Sequence, residues 1–167
     1  MGGSSLVGWA PVGCHARIGT EEVRMSASRV ARITYRWLAW LFVACVLVQF
    51  FLAGLAVFAA VPSFELHRTW GYTFGYLLIF MVIAGLVGRM PRAAWAAPLG
   101  VMVLFALQSV FVALRTDAPV IAALHPVNAV AIFAAAWWIA RSSASWQNIP
   151  SQEPSAPTSD AATGEAS

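Results

Sequence analysis

Two histidines stand inside apolar runs of this chain, and they are the side chains best suited to chemistry. His67 lies in FELHRTWGY, Phe64 to Tyr72, between Glu65 and Arg68. His125 lies in ALHPVNAV, Ala123 to Val130, followed by Pro126 and, one turn on, Asn128. Imidazole is the commonest protein ligand to metals, and an ionisable residue inside a membrane span is a functional candidate by default. Two imidazoles approaching one iron from opposite faces are the axial set of a b-type haem. On that reading His67 and His125 are the metal ligands. Gly71, one turn from His67, leaves flat space for a porphyrin edge. Arg68 and Arg115 are placed to pair with propionates, and Asn128 to orient the His125 ring.

The same residues carry a plainer reading. A membrane histidine often bonds a neighbouring carbonyl or glutamine, and His67 is close enough to Glu65 to pair with it at an interface. Pro126 removes a backbone hydrogen bond, and His125 or Asn128 could serve the groups it frees. A zinc site is poorly supplied, since only His67, His125 and Glu65 are available. Gln49 and Gln108 read as interhelical hydrogen-bonding residues rather than ligands. The haem and structural readings both stay open.

The elements that must position these residues are membrane spans. The chain has 167 residues, 60% hydrophobic and 10% charged, with mean hydropathy +0.73. Soluble domains carry about a quarter charged residues. Four segments lack acidic residues over a spanning length: Arg36–Val61, Leu66–Gly88, Ala94–Arg115 and Pro119–Ala140. Each meets the ~20 residues that a hydrocarbon core demands, and backbone in lipid must be helical to satisfy itself. The fold class is therefore an all-α membrane protein, an up-down-up-down bundle of four helices.

All ten basic residues are arginines. Arg17, Arg24, Arg29, Arg32 and Arg36 precede the first span, Arg89 and Arg92 link the second to the third, and Arg141 follows the fourth. Only Arg68 and Arg115 fall at the opposite ends. This bias predicts both termini in the cytoplasm and a multi-pass protein of the bacterial cell membrane. Trp37, Trp40, Trp95, Trp137 and Trp138 agree, because indole rings favour the interface. The net charge of +3 thus reads as topology and not as affinity for nucleic acid. Cys14 and Cys45 are placed badly for a disulfide.

The expected domains are a cytoplasmic segment over 1–35, a transmembrane domain over 36–141 and a disordered cytoplasmic tail over 142–167. The tail is Ser, Ala, Pro and Thr with a few acids, too polar to bury a core. Residues 1–24 also read as a mis-assigned start. Glu21 to Arg24 can be encoded as a ribosome-binding sequence just before Met25, which would make Met25 the start; a genuine disordered leader from Met1 is the equal alternative.

Stripes of small and polar residues predict the inward faces. They are Gln49, Ala53, Ala56 and Ala60; His67, Gly71, Leu78 and Gly85; Val101, Leu104, Gln108, Phe111 and Arg115; and His125, Ala129, Ile132 and Ala136. Polar groups then gather in the outer half of the bundle, with His67 and His125 on diagonal helices. No phosphate loop, paired carboxylates or nucleophile with a base is present. No internal repeat is strong enough to argue duplication.

VQFFLAGLAVF (Val48–Phe58), FELHRTWGY, Gly88-Arg89 and LHPVNAVAIF (Leu124–Phe133) resemble small four-helix membrane proteins of high-GC Gram-positive bacteria. Their order covers roughly residues 36–140. The histidine placement is also loosely similar to b-type cytochromes such as cytochrome b561 and haem A synthase. That resemblance implies one haem b between His67 and His125, since the two-haem members need four histidines and His15 lies outside the spans. One haem near the outer face of a bilayer about 30 Å thick cannot carry electrons across it. The roles implied are electron exchange with an outer-face donor or a quinol, or haem handling beside another enzyme. The alternative is a non-catalytic membrane subunit that binds or assembles a partner protein.

Overall fold

The computed structural model describes residues 13–59 and 64–147, with side-chain surroundings from residue 22 onward. Five helices occupy them: α1 (Gly13–Phe58), α2 (Glu65–Val87), α3 (Arg92–Ala113), the single turn α4 (Pro119–Ala122) and α5 (Leu124–Gln147). Four stretches are long and apolar enough to cross a membrane, Glu22–Phe58, Glu65–Val87, Arg92–Ala113 and Pro119–Gln147, the last joining α4 to α5. Their apolar windows are mostly uncovered by protein, at 11–28% buried. Phe51, Phe58, Tyr72, Tyr76 and Val103 all stand more than half exposed. Water does not tolerate such continuous apolar surface, whereas lipid does. The chain is a multi-pass membrane protein.

Packing closes the four long helices into a ring. α1 packs on α2, α2 on α3, α3 on α5 and α5 back on α1, while α2 and α5 stand diagonally. Two helices run past the edges of the expected domains. α1 shows no break at residue 35. It runs for 46 residues, about 70 Å at 1.5 Å per residue, because no proline or glycine interrupts the stretch around Arg36. The last helix also continues beyond Ser142 to Gln147, with Ser143 wholly buried and its hydroxyl donating to the Ala140 carbonyl at 2.7 Å. Residues 148–167 and 1–12, which hold most of the expected tail and part of the expected leader, lie outside the described residues, so the start at Met25 is untouched by the structure.

The fully buried core belongs to one end, the arginine-rich end, with Tyr35, Phe42, Leu78, Met81, Val101 and Ile139 at its centre. The sequence pattern gathers the polar groups at the other end, yet polar bonds also tie this end together. α3 carries Pro98 in its interior, so the Ala94 carbonyl has no amide at residue 98 to accept from. The Tyr35 hydroxyl of α1 donates to that carbonyl at 2.6 Å. Arg32 reaches two helix ends at once. Its Nε donates to the Gly88 carbonyl at 2.8 Å and its Nη1 to the Gln147 carbonyl at 3.3 Å, while Gln147 Nε2 donates back to the Arg32 carbonyl at 2.9 Å. At the C-terminus of α2 the cation meets a carbonyl left outside the helix ladder and the negative end of the dipole, and the same guanidinium ties in the last described turn of α5.

The turn after α2 shows how sequence shapes this contact. Met90 N–H donates to the Gly85 carbonyl and Arg89 N–H to the Leu86 carbonyl, the paired bonds of a Schellman ending. The left-handed position is Arg89, at φ 50°, one residue after the glycine. Gly88 is kept for space instead, because a Cβ there would meet the Ala84 carbonyl at 2.8 Å and the Arg32 side chain at 3.1 Å.

Tyr35→Phe is expected to leave the buried Ala94 carbonyl unpaired and to cost about 1–3 kcal/mol in reversible unfolding in detergent. In a Pro98→Ala background residue 98 donates its own N–H, and the same change should then cost clearly less. Equal costs in both backgrounds would remove the proposed link between proline and tyrosine.

Candidate functional site

At the opposite end the bundle opens. Among the described residues, nothing in α1 beyond Val46, in α2 before Phe74, in α3 beyond Val101 or in α5 before Asn128 is fully buried. Into this half-covered space project His67, Gly71, Gln49, Gln108 and His125, each partly buried, above Asn128, which is 9% exposed. The two imidazoles lie across the ring from each other on diagonal helices, their ring centres 6.4 Å apart and their planes inclined by 56°.

Each ring is fixed in the same way. His67 Nδ1 lies 3.2 Å from the Gln49 carbonyl of α1, and His125 Nδ1 lies 3.4 Å from the Gln108 carbonyl of α3. A carbonyl only accepts, so both Nδ1 atoms carry the proton, and Nε2 is the nitrogen left for other use. A backbone carbonyl on Nδ1–H is the arrangement that commonly orients a metal-ligating histidine. The two bonds span 18 and 17 residues, so α1–α2 and α3–α5 repeat one glutamine-to-histidine pairing. Sequence reading found no repeat because the hairpins share almost nothing else. The spacing from Gln49 to His67 and from Gln108 to His125 was the available signal.

The halves differ at Nε2. Gln49 Nε2 donates to His67 Nε2 at 3.1 Å, and its Oε1 is buried without a hydrogen-bond partner. The amide rests on Gly71, where a Cβ would come within 2.9 Å of Gln49 Nε2. Gly71 therefore accommodates a glutamine, and the flat space expected there is filled in this conformation. In the other half Gln108 turns its side chain the other way. Its Oε1 accepts from Asn128 Nδ2 at 2.8 Å, and the same amide nitrogen also donates to the Leu104 carbonyl at 2.8 Å. Asn128 is thus a strut between α5 and α3 below His125, with no direct bond to that ring among the described residues.

Pro126 is the third residue of α5, four residues after the last residue of α4, so its missing N–H coincides with the α4–α5 break at Ala123. His125 and Asn128 bond α3. The two arginines stand at the exposed rim. Arg68 Nη2 donates to both carboxylate oxygens of Glu65, at 2.6 and 2.8 Å, which also takes Glu65 away from His67. Arg115 Nη1 donates to the Val112 carbonyl at 3.2 Å, and no carboxylate among the described residues holds it. No group of three or more histidine, cysteine or acidic residues gathers to hold a bare metal ion among the described residues.

A family of unknown function (DUF6220) matches residues 49–114. That segment begins at Gln49, includes His67, Arg68, Gly71 and Gln108, and stops short of Arg115 and His125. No curated protein and no solved structure matches the chain.

Asn128→Val is expected to strand Gln108 Oε1 and to lower stability by about 1–3 kcal/mol, read as a drop in the thermal unfolding midpoint in detergent. Adding Gln108→Leu should recover part of that loss. A double variant less stable than the sum of the singles would contradict this pairing.

Proposed function

We propose that this protein is a single-haem, b-type cytochrome-like membrane protein with His67 and His125 as axial ligands at one end of its bundle. The observation that carries the reading is the opposed pair of imidazoles. Two rings bound through Nε2 to opposite faces of one metal, at about 2 Å each, have centres roughly 6 Å apart. The rings here are 6.4 Å apart, and each has its Nδ1–H directed to a carbonyl. A ligand set of two histidines is too small for zinc but sufficient when a porphyrin supplies the other four nitrogens.

The fit depends on Gln49. Its amide occupies His67 Nε2 and the face of Gly71, and must swing aside for a macrocycle to enter. The unpartnered Oε1 shows that its present position is not fully satisfied, so leaving it gives up one hydrogen bond rather than two. Arg115 is the freer partner for a propionate, because Arg68 must first give up Glu65. Asn128 holds the floor. A porphyrin iron so held supplies one-electron exchange. The arginine bias supports an outer-face location for this end, with both termini in the cytoplasm of a bacterial cell. The exchange is then with an outer-face donor or a quinol, or serves haem handling beside another enzyme.

One observation favours a second reading. The bond from Gln49 Nε2 to His67 Nε2 completes a network that needs no cofactor, as expected of a non-catalytic subunit that binds a membrane partner.

Protein expressed with added haem and purified in detergent is expected to show a b-type α-band in its dithionite-reduced minus oxidised spectrum, lost in both His67→Ala and His125→Ala. A colourless, well-folded wild type would retire the haem and leave the structural network.

A further inference from the structure

The seam where α1 meets α5 holds a graded surface that the histidine site does not use. At the arginine-rich end a groove of about 390 Å³ is lined by Ile33, Arg36, Trp37, Trp40 and Gln147. Deeper along the same seam a second groove, about 350 Å³, is lined only by Phe133, Ala134 and Trp137. Trp40 and Trp137 join the two, meeting edge to face with ring centres 5.5 Å apart, and Phe133 lies 6.3 Å from Trp137. From the end of the bundle inward, the surface thus passes from a guanidinium through indoles to plain hydrocarbon.

Arg36 has no acidic partner among the described residues, whose single ion pair is Glu65 with Arg68. Its neighbour Arg32, one turn away, is committed to the Gly88 and Gln147 carbonyls. A guanidinium presents several N–H donors in a fork matched to phosphate, and indoles belong at headgroup depth. We propose that this seam binds one phosphate-headed anionic lipid, its phosphate on Arg36 and an acyl chain along Trp40, Trp137 and Phe133. Charge complementarity selects the headgroup, and the apolar furrow below it requires the tail. Basic pockets between spanning helices on the cytoplasmic side are a recurrent form of lipid recognition.

Native mass spectrometry of the full chain in detergent, titrated with phosphatidylglycerol or with phosphatidylcholine of the same chains, tests this directly. The first bound phosphatidylglycerol should be held more tightly than phosphatidylcholine. Arg36→Gln should weaken it by about tenfold, the scale of one lost charge-assisted contact. Arg24→Gln, on the same helix but outside the groove, should leave it unchanged. Phe133→Ala should weaken both lipids alike. Equal losses for Arg36→Gln and Arg24→Gln would reduce the effect to general attraction and overturn the site. So would equal affinity for the two lipids. Displacement by millimolar inorganic phosphate would reassign the groove to free phosphate.

Discussion

A carbonyl in hydrocarbon has no water to bond, so a backbone oxygen freed from a helix ladder needs a partner from the protein itself. The two ends of the bundle are built on that constraint. Pro98 frees the Ala94 oxygen and Tyr35 takes it; α2 and α5 end at Gly88 and Gln147 and Arg32 takes both. These bonds set the register of α1 against all three other spanning helices, and the dense apolar core lies beside them. With the register fixed at one end, the stations of Gln49, His67, Gln108 and His125 at the other follow from helix rise alone.

The histidine end uses the same constraint differently. There the carbonyls of Gln49 and Gln108 take on an imidazole N–H besides their place in the helix, and what they fix is the tautomer of a ring. Among the described residues no side chain is fully buried above Asn128, so the rings are held by hydrogen bonds more than by packing. A half-covered polar space bounded by oriented imidazoles is a costly feature for a bundle that needs only to be stable. Gln49 concentrates that tension, since it satisfies His67 while leaving its own buried oxygen unpaired.

Hydropathy made the four spans readable, because length and apolarity are additive along a chain. The inward stripes were readable in part: Leu78, Gly85, Val101, Ile132 and Ala136 are buried as the small-residue pattern expects, whereas Gln49, Ala53 and Ala56 are half-buried, Arg115 is exposed and Ala60 lies outside the described residues. His67 and His125 stood out because a charge-capable ring in lipid is conspicuous. Hidden from sequence were the relations between helices. Nothing in the string pairs Tyr35 with the carbonyl exposed by Pro98, or tells that Arg32 is drawn to helix ends while Arg36 is left outward. Gly71 looked like room for a flat ligand because a glycine announces space without saying which neighbour fills it. The break at Ala123 was missed for a related reason. Pro126 signals disruption, but only the structure places that disruption between α4 and α5.

The most direct measurement is magic-angle-spinning ¹⁵N NMR of histidine-labelled protein in lipid bilayers, with His15→Gln removing the third ring. Without added haem, both His67 and His125 are expected as neutral Nδ1–H tautomers, with a through-space contact from the His67 ring to the Gln49 amide. With haem, both Nε2 signals should shift or broaden together. Rings found as Nε2–H tautomers, or as averaged mobile imidazoles, would contradict the claim that glutamine carbonyls on adjacent helices hold this pair.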